Sequence, residues 1–392
     1  MMPALALAED PRIAARARFV ARFDDEPQHV AFAPGRVNLI GEYTDFNEGF
    51  VLPCALEVGT AVAVKPRHDG RIVAVSGHGD TLHFDDFLCS CELSPAAPGS
   101  WSNYLRGIVA AMAGAGYGQC GASLAIAGNV PQGAGLSSSA SLSVATARAL
   151  LAIGEPTNAP DAATLAAWAQ WSEHHFAGCR CGIMDPMAAA AARPGTAMLL
   201  DCRSLEYRTI ALPKSMAVLV AHSGVRRELI DGEYNHRRAQ CETVARVGGV
   251  AALRDLDAAG LETLRARISS SELRRARHVI GENARVLAAV AALETGDLQS
   301  LGQELRASHI SLRDDFEVTV PPVDALVEFL EDSILRHAAG RGGARMTGGG
   351  FGGCVLAVVD AAAAAQVEQG LHQWLRTHTD APPLVLKVAG HQ

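Results

Sequence analysis

The chain predicts an α+β fold in two domains, and three observations carry that reading. Its 392 residues, 49% of them hydrophobic, exceed what a single core usually holds. Strand-like and helical segments are mixed without the regular β-α alternation of a doubly wound sheet. After a helix-rich middle, the pattern returns to short strands near residue 205, which divides the chain into domains 1–205 and 206–392.

The elements follow in order. Residues 11 to 24 place Arg on one face and Ile, Ala, Phe and Val on the other, a helical spacing. Segments 29–40, 59–65, 71–76 and 122–127 are β-branched or alternating and read as strands. A helix opens at Ser100 and closes in the glycines near 116. The stretch "GNVPQGAGLSSSAS" then leads directly into a long Ala-rich helix, and two more helices fit 161–177 and 183–192. Short strands "YRTIAL" and "MAVLVAHS" precede helical stretches at 227–247 and 272–309. The last third holds a helix at 322–338, the turn "GARMTGGGFGGC" into a buried strand, a helix at 360–377 and the terminal strand "PLVLKV".

Composition excludes several function classes. A formal net charge of −8, with no dominant basic stretch, argues against a nucleic-acid surface. No run of about 18 apolar residues suggests a membrane span, and the start "MMPALALAED" lacks the basic region of a secretory signal. Nine cysteines without framework spacing point to reduced thiols and a cytoplasmic protein. The close pair Cys179 and Cys181 reads as buried thiols, because zinc sites want wider spacing and four ligands.

Chemistry concentrates in a few places. Gly128, Gly133 and Gly135, followed by Ser137, Ser138, Ser139 and Ser141, let backbone approach a polyanion at a helix N-terminus, where unpaired N–H groups and the dipole favour phosphate. Hydroxyls there can also bind magnesium. The plainer reading is a capped helix, but a cap needs fewer of these residues. No Gly-Lys-Ser/Thr follows, so this is not a Walker loop. A second turn, Gly348–Gly353, suits either a tight strand connection or a ligand loop. Asp185 opens an apolar helix, where a carboxylate is at home near the dipole; close to a cation such as Arg36 it would stay ionised and could accept a hydroxyl proton. Glu173 is either a solvated helix charge or a carboxylate for magnesium. Neighbouring His174 and His175 face different directions and make no two-His metal site.

The ordered set "PGRVNLIGEYTDFNEGFVLPCAL", "GNVPQGAGLSSSASL", "CGIMD", "DGEYNHRRAQCE", "SLRDDFEVTVPPVD" and "GARMTGGGFGGC", spanning about residues 29 to 357, resembles the galactokinases of the GHMP small-molecule kinase superfamily. The resemblance implies a two-domain GHMP kinase fold. An N-terminal mixed-sheet domain like domain 2 of ribosomal protein S5 would carry the sugar motif and phosphate loop, a ferredoxin-like domain would follow, and the active site would lie in the cleft between them. It implies ATP with Mg2+ as cofactors, a small-molecule sugar as substrate, and a monomer.

Residue by residue, Asp185 matches the acid that takes the C1-hydroxyl proton and Arg36 the cation at the transferring phosphoryl. Glu42, Tyr43, Thr44, Asp45 and Tyr234 fall in the sugar-binding positions. Gly133, Ala134, Gly135, Leu136, Ser137, Ser138 and Ser139 match the loop around the ATP phosphates, with Trp101 and Tyr104 near the adenine. Ser139 and Glu173 match the metal ligands. Galactokinases usually read Glu-His-Thr-Asp-Tyr-Asn where this chain has Tyr43 and Phe46, and Gln and Tyr where it has Pro186 and Leu384. The bulkier Tyr43 would reshape the pocket at the sugar's hydroxymethyl end, and one fitted polar contact can shift specificity strongly. The expected activity is galactose 1-phosphorylation. The alternatives are a related sugar 1-kinase, L-arabinose foremost because it lacks the hydroxymethyl group, and a non-catalytic sugar- and ATP-binding regulator.

Overall fold

The computed structural model describes residues 9–78, 81–117, 121–131, 133–154, 158–225, 230–380 and 384–389. In chain order its first elements are α1 (Pro11–Phe23), β1 (His29–Asn38), β2 (Phe50–Val51), β3 (Pro53–Pro66), β4 (Arg71–His78) and β5 (Thr81–Leu88). Then come α2 (Ser102–Gly114), β6 (Ala122–Gly128), α3 (Ser138–Gly154), α4 (Ala162–Ser172) and α5 (Met184–Ala191). They are followed by β7 (Thr196–Asp201), β8 (Tyr207–Ala211), β9 (Met216–His222), α6 (Ile230–Gly248) and α7 (Ala258–Thr263). The chain closes with α8 (Ser270–Thr295), α9 (Leu298–Asp314), α10 (Pro321–Ala338), β10 (Gly342–Met346), β11 (Cys354–Asp360), α11 (Ala364–His378) and β12 (Val385–Ala389). Two compact units result. One takes the chain up to Arg36, Leu56–Pro131 and Ser137–Ala191; the other takes Val37–Ala55, Gln132–Leu136 and the chain from Ala192.

In the first unit, β6 pairs antiparallel with β3 (Thr60↔Gly128 to Pro66↔Ala122) and parallel with β4, and β4 forms a hairpin with β5. The mixed sheet is covered on both faces, so its strands read as apolar runs. Successive side chains alternate: Ala61, Ala63, Ala125 and Ala127 meet Ala15 and Phe19 of α1. Val62, Val64, Leu124 and Ile126 join the core of α2, α3 and α4. Gly107 of α2 permits close approach to α4, since a Cβ there would meet Ser172 Oγ at 2.1 Å.

The second unit holds β2, β7 and β8 as antiparallel neighbours, with Cys54 at the start of β3 paired to Ala197. Its other sheet is antiparallel, in the order β10-β11-β9-β12. Numbered within that sheet the order is 2-3-1-4, the ferredoxin-like arrangement, with extra helices inserted between its first two strands. Leu219, Ala221, Ala344, Met346, Val355 and Ala357 turn one face to a core completed by residues of α6, α8, α10 and α11.

Three differences from the sequence reading have local causes. The single helical stretch 272–309 is two helices, because Gly296 adopts φ 69° as the end cap of α8 and Asp297 caps α9 by accepting from Gln299 N and Ser300 N. Strand β5 escapes the alternation rule because Asp85 and Asp86 interrupt it; Asp85 is held by Arg106. Strand β7 has six residues, of which the apolar run is only the four from 197 to 200, too short to separate from its flanks. The expected helix start at 227 lies among residues outside the described ones, and α6 begins at Ile230. Among the described residues no helix is long and apolar enough to cross a membrane.

Candidate active site

In the first unit, the end of β1 and the start of α5 bring together two side chains 149 positions apart. Arg36 donates to both oxygens of Asp185, Nε to Oδ1 at 2.7 Å and Nη2 to Oδ2 at 2.6 Å. Ser137 Oγ donates to Oδ2 at 2.5 Å. This bidentate, charge-assisted clamp fixes the orientation of the acid. Its position in the first turn of α5 also sets it at the positive end of the helix dipole. The chain before α3 has left-handed backbone at every second residue, Gly133 (φ 71°), Gly135 (φ 75°) and Ser137 (φ 61°). For the serine this conformation costs about 1–2 kcal/mol, the kind of local strain that collects at ligand loops. Ala134 and Leu136 are buried anchors, whereas Gly133 and Ser138 stand exposed.

Helix α4 ends in a π-turn, Glu173–Ala177, a distortion found often at functional sites. It carries Glu173 inward to 5% exposure. Burial pushes its carboxyl up, nearby Asp185 adds to this, and the hydroxyl of Ser139, the thiol of Cys181 and Arg36 oppose it. Oε1 of Glu173 is buried with no hydrogen-bond partner. An orphaned carboxylate oxygen beside a serine hydroxyl suits a hard cation, and Mg2+ needs only one or two carboxylates when phosphates supply the rest. Ser139 and Glu173 therefore fit the expected metal. His174 Nε2 is instead taken by the carbonyl of Cys181 at 2.8 Å. Trp101 packs against the core at the head of α2, and the carbonyl of Tyr104 accepts from Ser172 Oγ at 3.1 Å, next to Glu173 in the chain.

The second unit gathers the residues expected at the sugar. Glu42 is 2% exposed: Oε1 accepts from Gly348 N at 2.9 Å and Thr347 Oγ1 at 3.2 Å, and Oε2 is ion-paired with Arg345. Burial pushes this carboxyl up, and the guanidinium works against it. Tyr43 has φ 67°, donates its phenol to Gly349 O at 2.6 Å, and lays its ring against Phe316 (4.4 Å between centroids) and Tyr234 (5.3 Å). Thr44 is fully buried, its hydroxyl shared between Gly41 O (2.8 Å) and Phe50 O (2.7 Å), so it closes the turn on itself. Asp45 opens the following 3-10 turn, Asp45–Asn47, and accepts from Phe46 N at 2.9 Å. Phe46 meets Tyr234 edge-on at 5.6 Å.

Sequence reasoning missed a set of polar residues beneath this segment. Arg345, Glu282 and His278 are all fully buried. Glu282 Oε1 accepts from Gly41 N (3.0 Å) and Ser308 Oγ (2.6 Å), and Oε2 accepts from Arg285 Nε at 2.7 Å. Burial alone would push Glu282 up; Arg285 and Arg345 outweigh it and hold the carboxyl at about 2. His278 is pushed down to about 4 by burial and sits neutral between Ser311 Oγ and the carbonyl of Glu42. The available signal was a lone arginine in an apolar strand, Gly-Gly-Ala-Arg-Met, which must find partners once buried.

Comparison with known proteins agrees with these features. The chain matches the GHMP kinases N terminal domain over residues 103–193 and the GHMP kinases C terminal model over 289–377. It has the fold of the mevalonate kinase of Methanococcus jannaschii (TM-score 0.66, 16% identity, covering 93% of this chain and 98% of that one). Phosphomevalonate kinase of Streptococcus pneumoniae shares that fold too (TM-score 0.60, 15% identity, 92% and 99%). Fold and domain matches define a kinase of the ATP-dependent GHMP class. Residues 17–66 match the galactokinase galactose-binding signature. Galactokinase of Lactococcus lactis, solved with galactose, is 30% identical over 96% of this chain and 97% of its own, with a TM-score of 0.85. The chain belongs to the galactokinase family, and its class of activity is sugar phosphotransfer.

Proposed function

We propose that the chain transfers the γ-phosphoryl group of ATP to the C1 hydroxyl of D-galactose, giving galactose 1-phosphate and ADP. The observation that carries this is the Arg36–Asp185 clamp with Ser137 on the same carboxylate. In the proposed step the C1 oxygen bonds to the γ-phosphorus as the bond to the ADP oxygen breaks, and the hydroxyl proton passes to Asp185. Arg36 offsets charge on the transferring group. Gly133, Ala134, Gly135, Leu136, Ser137, Ser138 and Ser139 surround the phosphates with backbone N–H groups and hydroxyls, and Trp101 and Tyr104 flank the adenine. Ser139 and Glu173 would hold Mg2+, which when bound would neutralise phosphate charge. Such catalysis is positioning plus electrostatics. Asp45, Glu42 and Tyr234 select the sugar hydroxyls, Tyr43 bounds the pocket, and Thr44 shapes the turn that carries them. We take the protein to act as a monomer in the cytoplasm, the compartment being supported by nine cysteines without the spacing of a disulfide framework.

A second reading, L-arabinose as the preferred sugar, draws on Tyr43, whose phenol and ring occupy space next to Tyr234. The regulator reading is disfavoured by the intact clamp. ADP release from ATP with D-galactose, L-arabinose, D-glucose and D-glucuronate separates the three. The highest kcat/KM is expected with D-galactose; a higher value with L-arabinose selects the second reading, and no turnover despite sugar-dependent ATP binding leaves the regulator.

A further inference from the structure

The segment from Asn38 to Glu48 is held in a conformation that its own residues disfavour. Gly41 has φ 105°, and a Cβ there would meet Phe50 O at 2.7 Å. Tyr43 and Glu48, which carry side chains, sit at φ 67° and 59°. Backbone of this kind persists only when its surroundings over-determine it. They do so here by contacts from α8, β10 and the turn after β10. Glu282 takes Gly41 N, and His278 takes the carbonyl of Glu42. Arg345 Nη1 donates to Leu39 O at 3.0 Å, Thr347 Oγ1 donates to Asn38 O at 3.0 Å, and Gly348 N donates to Glu42 Oε1.

The charges in this set are what call for a role. Arg345 lies between two buried carboxylates, ion-paired with Glu42 and 3.9 Å from Glu282. Arg285 completes a cluster of two acids and two guanidinium groups. Replacing such a cluster by apolar side chains is often neutral or stabilising, so stability alone does not account for it. What apolar residues cannot do is hold specific backbone N–H and C=O groups in place, and each charge here does that.

We propose that Arg345 and Glu282 are positioning residues for the sugar-recognition segment, acting with Thr347 through the backbone of residues 38–42 and the carboxylate of Glu42. This rests on the function proposed above, in that the segment they hold is the one that selects the sugar. It also gives the second glycine-rich turn a use, since Gly348 and Gly349 meet Glu42 and Tyr43 rather than serving as a separate ligand loop.

The test uses full-length Glu282→Gln and Thr347→Val, with Glu282→Asp as the conservative control. Sugar and ATP constants are measured in parallel, together with hydrogen exchange across the chain. In both main variants the sugar KM rises by about tenfold or more while the ATP KM stays within about twofold. Exchange quickens in residues 38–49 and not elsewhere, and Glu282→Asp recovers part of the loss. If Glu282→Gln does not fold, Thr347→Val, which exchanges one hydroxyl for a methyl, gives the same reading. A folded variant with unchanged sugar KM and unchanged exchange in 38–49 overturns the proposal. So does a parallel loss for sugar and ATP with faster exchange throughout. If the wild-type protein turns over none of the sugars, the functional reading fails, and the exchange pattern alone still decides the positioning role.

Discussion

Asp185→Asn keeps the shape of the side chain and removes its charge and its capacity to take a proton. A positioned general base is worth about 10²–10⁴ in rate, so kcat with the preferred sugar is expected to fall by that factor, or about 3–5 kcal/mol of barrier. ATP binding, measured by titration calorimetry, should change little, because in the proposed step the carboxylate serves the reacting hydroxyl rather than the nucleotide. The same substitution removes the carboxylate charge that faces Arg36. Side-chain exposures of 6% for Arg36 and 27% for Asp185 describe a pair mostly removed from water. Losing charge-assisted hydrogen bonds of this kind costs about 2 kcal/mol after allowance for the exposed edge, or a fall of about 2–3 °C in Tm. The two effects separate in the double variant Arg36→Met/Asp185→Asn, which removes the guanidinium as well: Tm should recover and activity should not. An Asp185→Asn enzyme losing only about tenfold in kcat would refute the base assignment and leave Asp185 an electrostatic anchor. A collapse of ATP affinity in step with kcat would refute the division of labour as a whole.

Glu173→Gln should weaken divalent-cation binding to the ATP-loaded protein by about tenfold or more, read directly by Mn2+ paramagnetic resonance; unchanged Mn2+ affinity removes Glu173 from the metal site. His278, held at about 4 by burial, gives a pH dependence of stability with a definite sign. Between about pH 6.5 and 4 the unfolded chain binds a proton that the folded one refuses, so this contribution is complete above about pH 6.5 and is lost as pH falls, amounting to about 2 kcal/mol at pH 5. Glu42, Glu282, Arg285 and Arg345 face the same ring or its partners, and Asp315 reaches it through Ser311. His278→Asn should therefore flatten Tm between pH 6.5 and 5, and a slope equal to that of the wild type would show that another group titrates there.

How much of this was legible depended on distance along the chain. The loop at 133–139 announced itself because glycines, serines and a helix start are neighbours, and local chemistry is what sequence displays. Yet the strained residue that reaches Asp185 is Ser137, for which a left-handed backbone is not an expected state. Asp185 could be read as a plain helix-start acid, and only Arg36, brought in by the fold, decides between that and an oriented carboxylate. Glu42 and Thr44 were legible as members of a motif but not in their manner of use. Partners 305 and 306 positions away, Thr347 and Gly348, engage one, and the turn's own carbonyls engage the other. Arg345, Glu282 and His278 left only the weak trace of polar residues in apolar company, because their meaning lies in long-range contacts.

Tyr43 and Phe46, the two departures from the usual motif, belong to one packing arrangement. Their rings meet edge-on at 6.1 Å, both contact Tyr234, and Tyr43 also packs on Phe316, which in turn touches the His278 ring at 4.7 Å. A change at position 43 is thus felt by the aromatic neighbour expected at the sugar and by the buried network below. Restoring His at 43 alone would remove the phenol's bond to Gly349 O and leave space beside Phe46 and Phe316, so it tests two things at once. A clean reading of sugar preference needs Tyr43→His combined with Phe46→Tyr, because the two rings pack as one unit and would shape the proposed sugar pocket together.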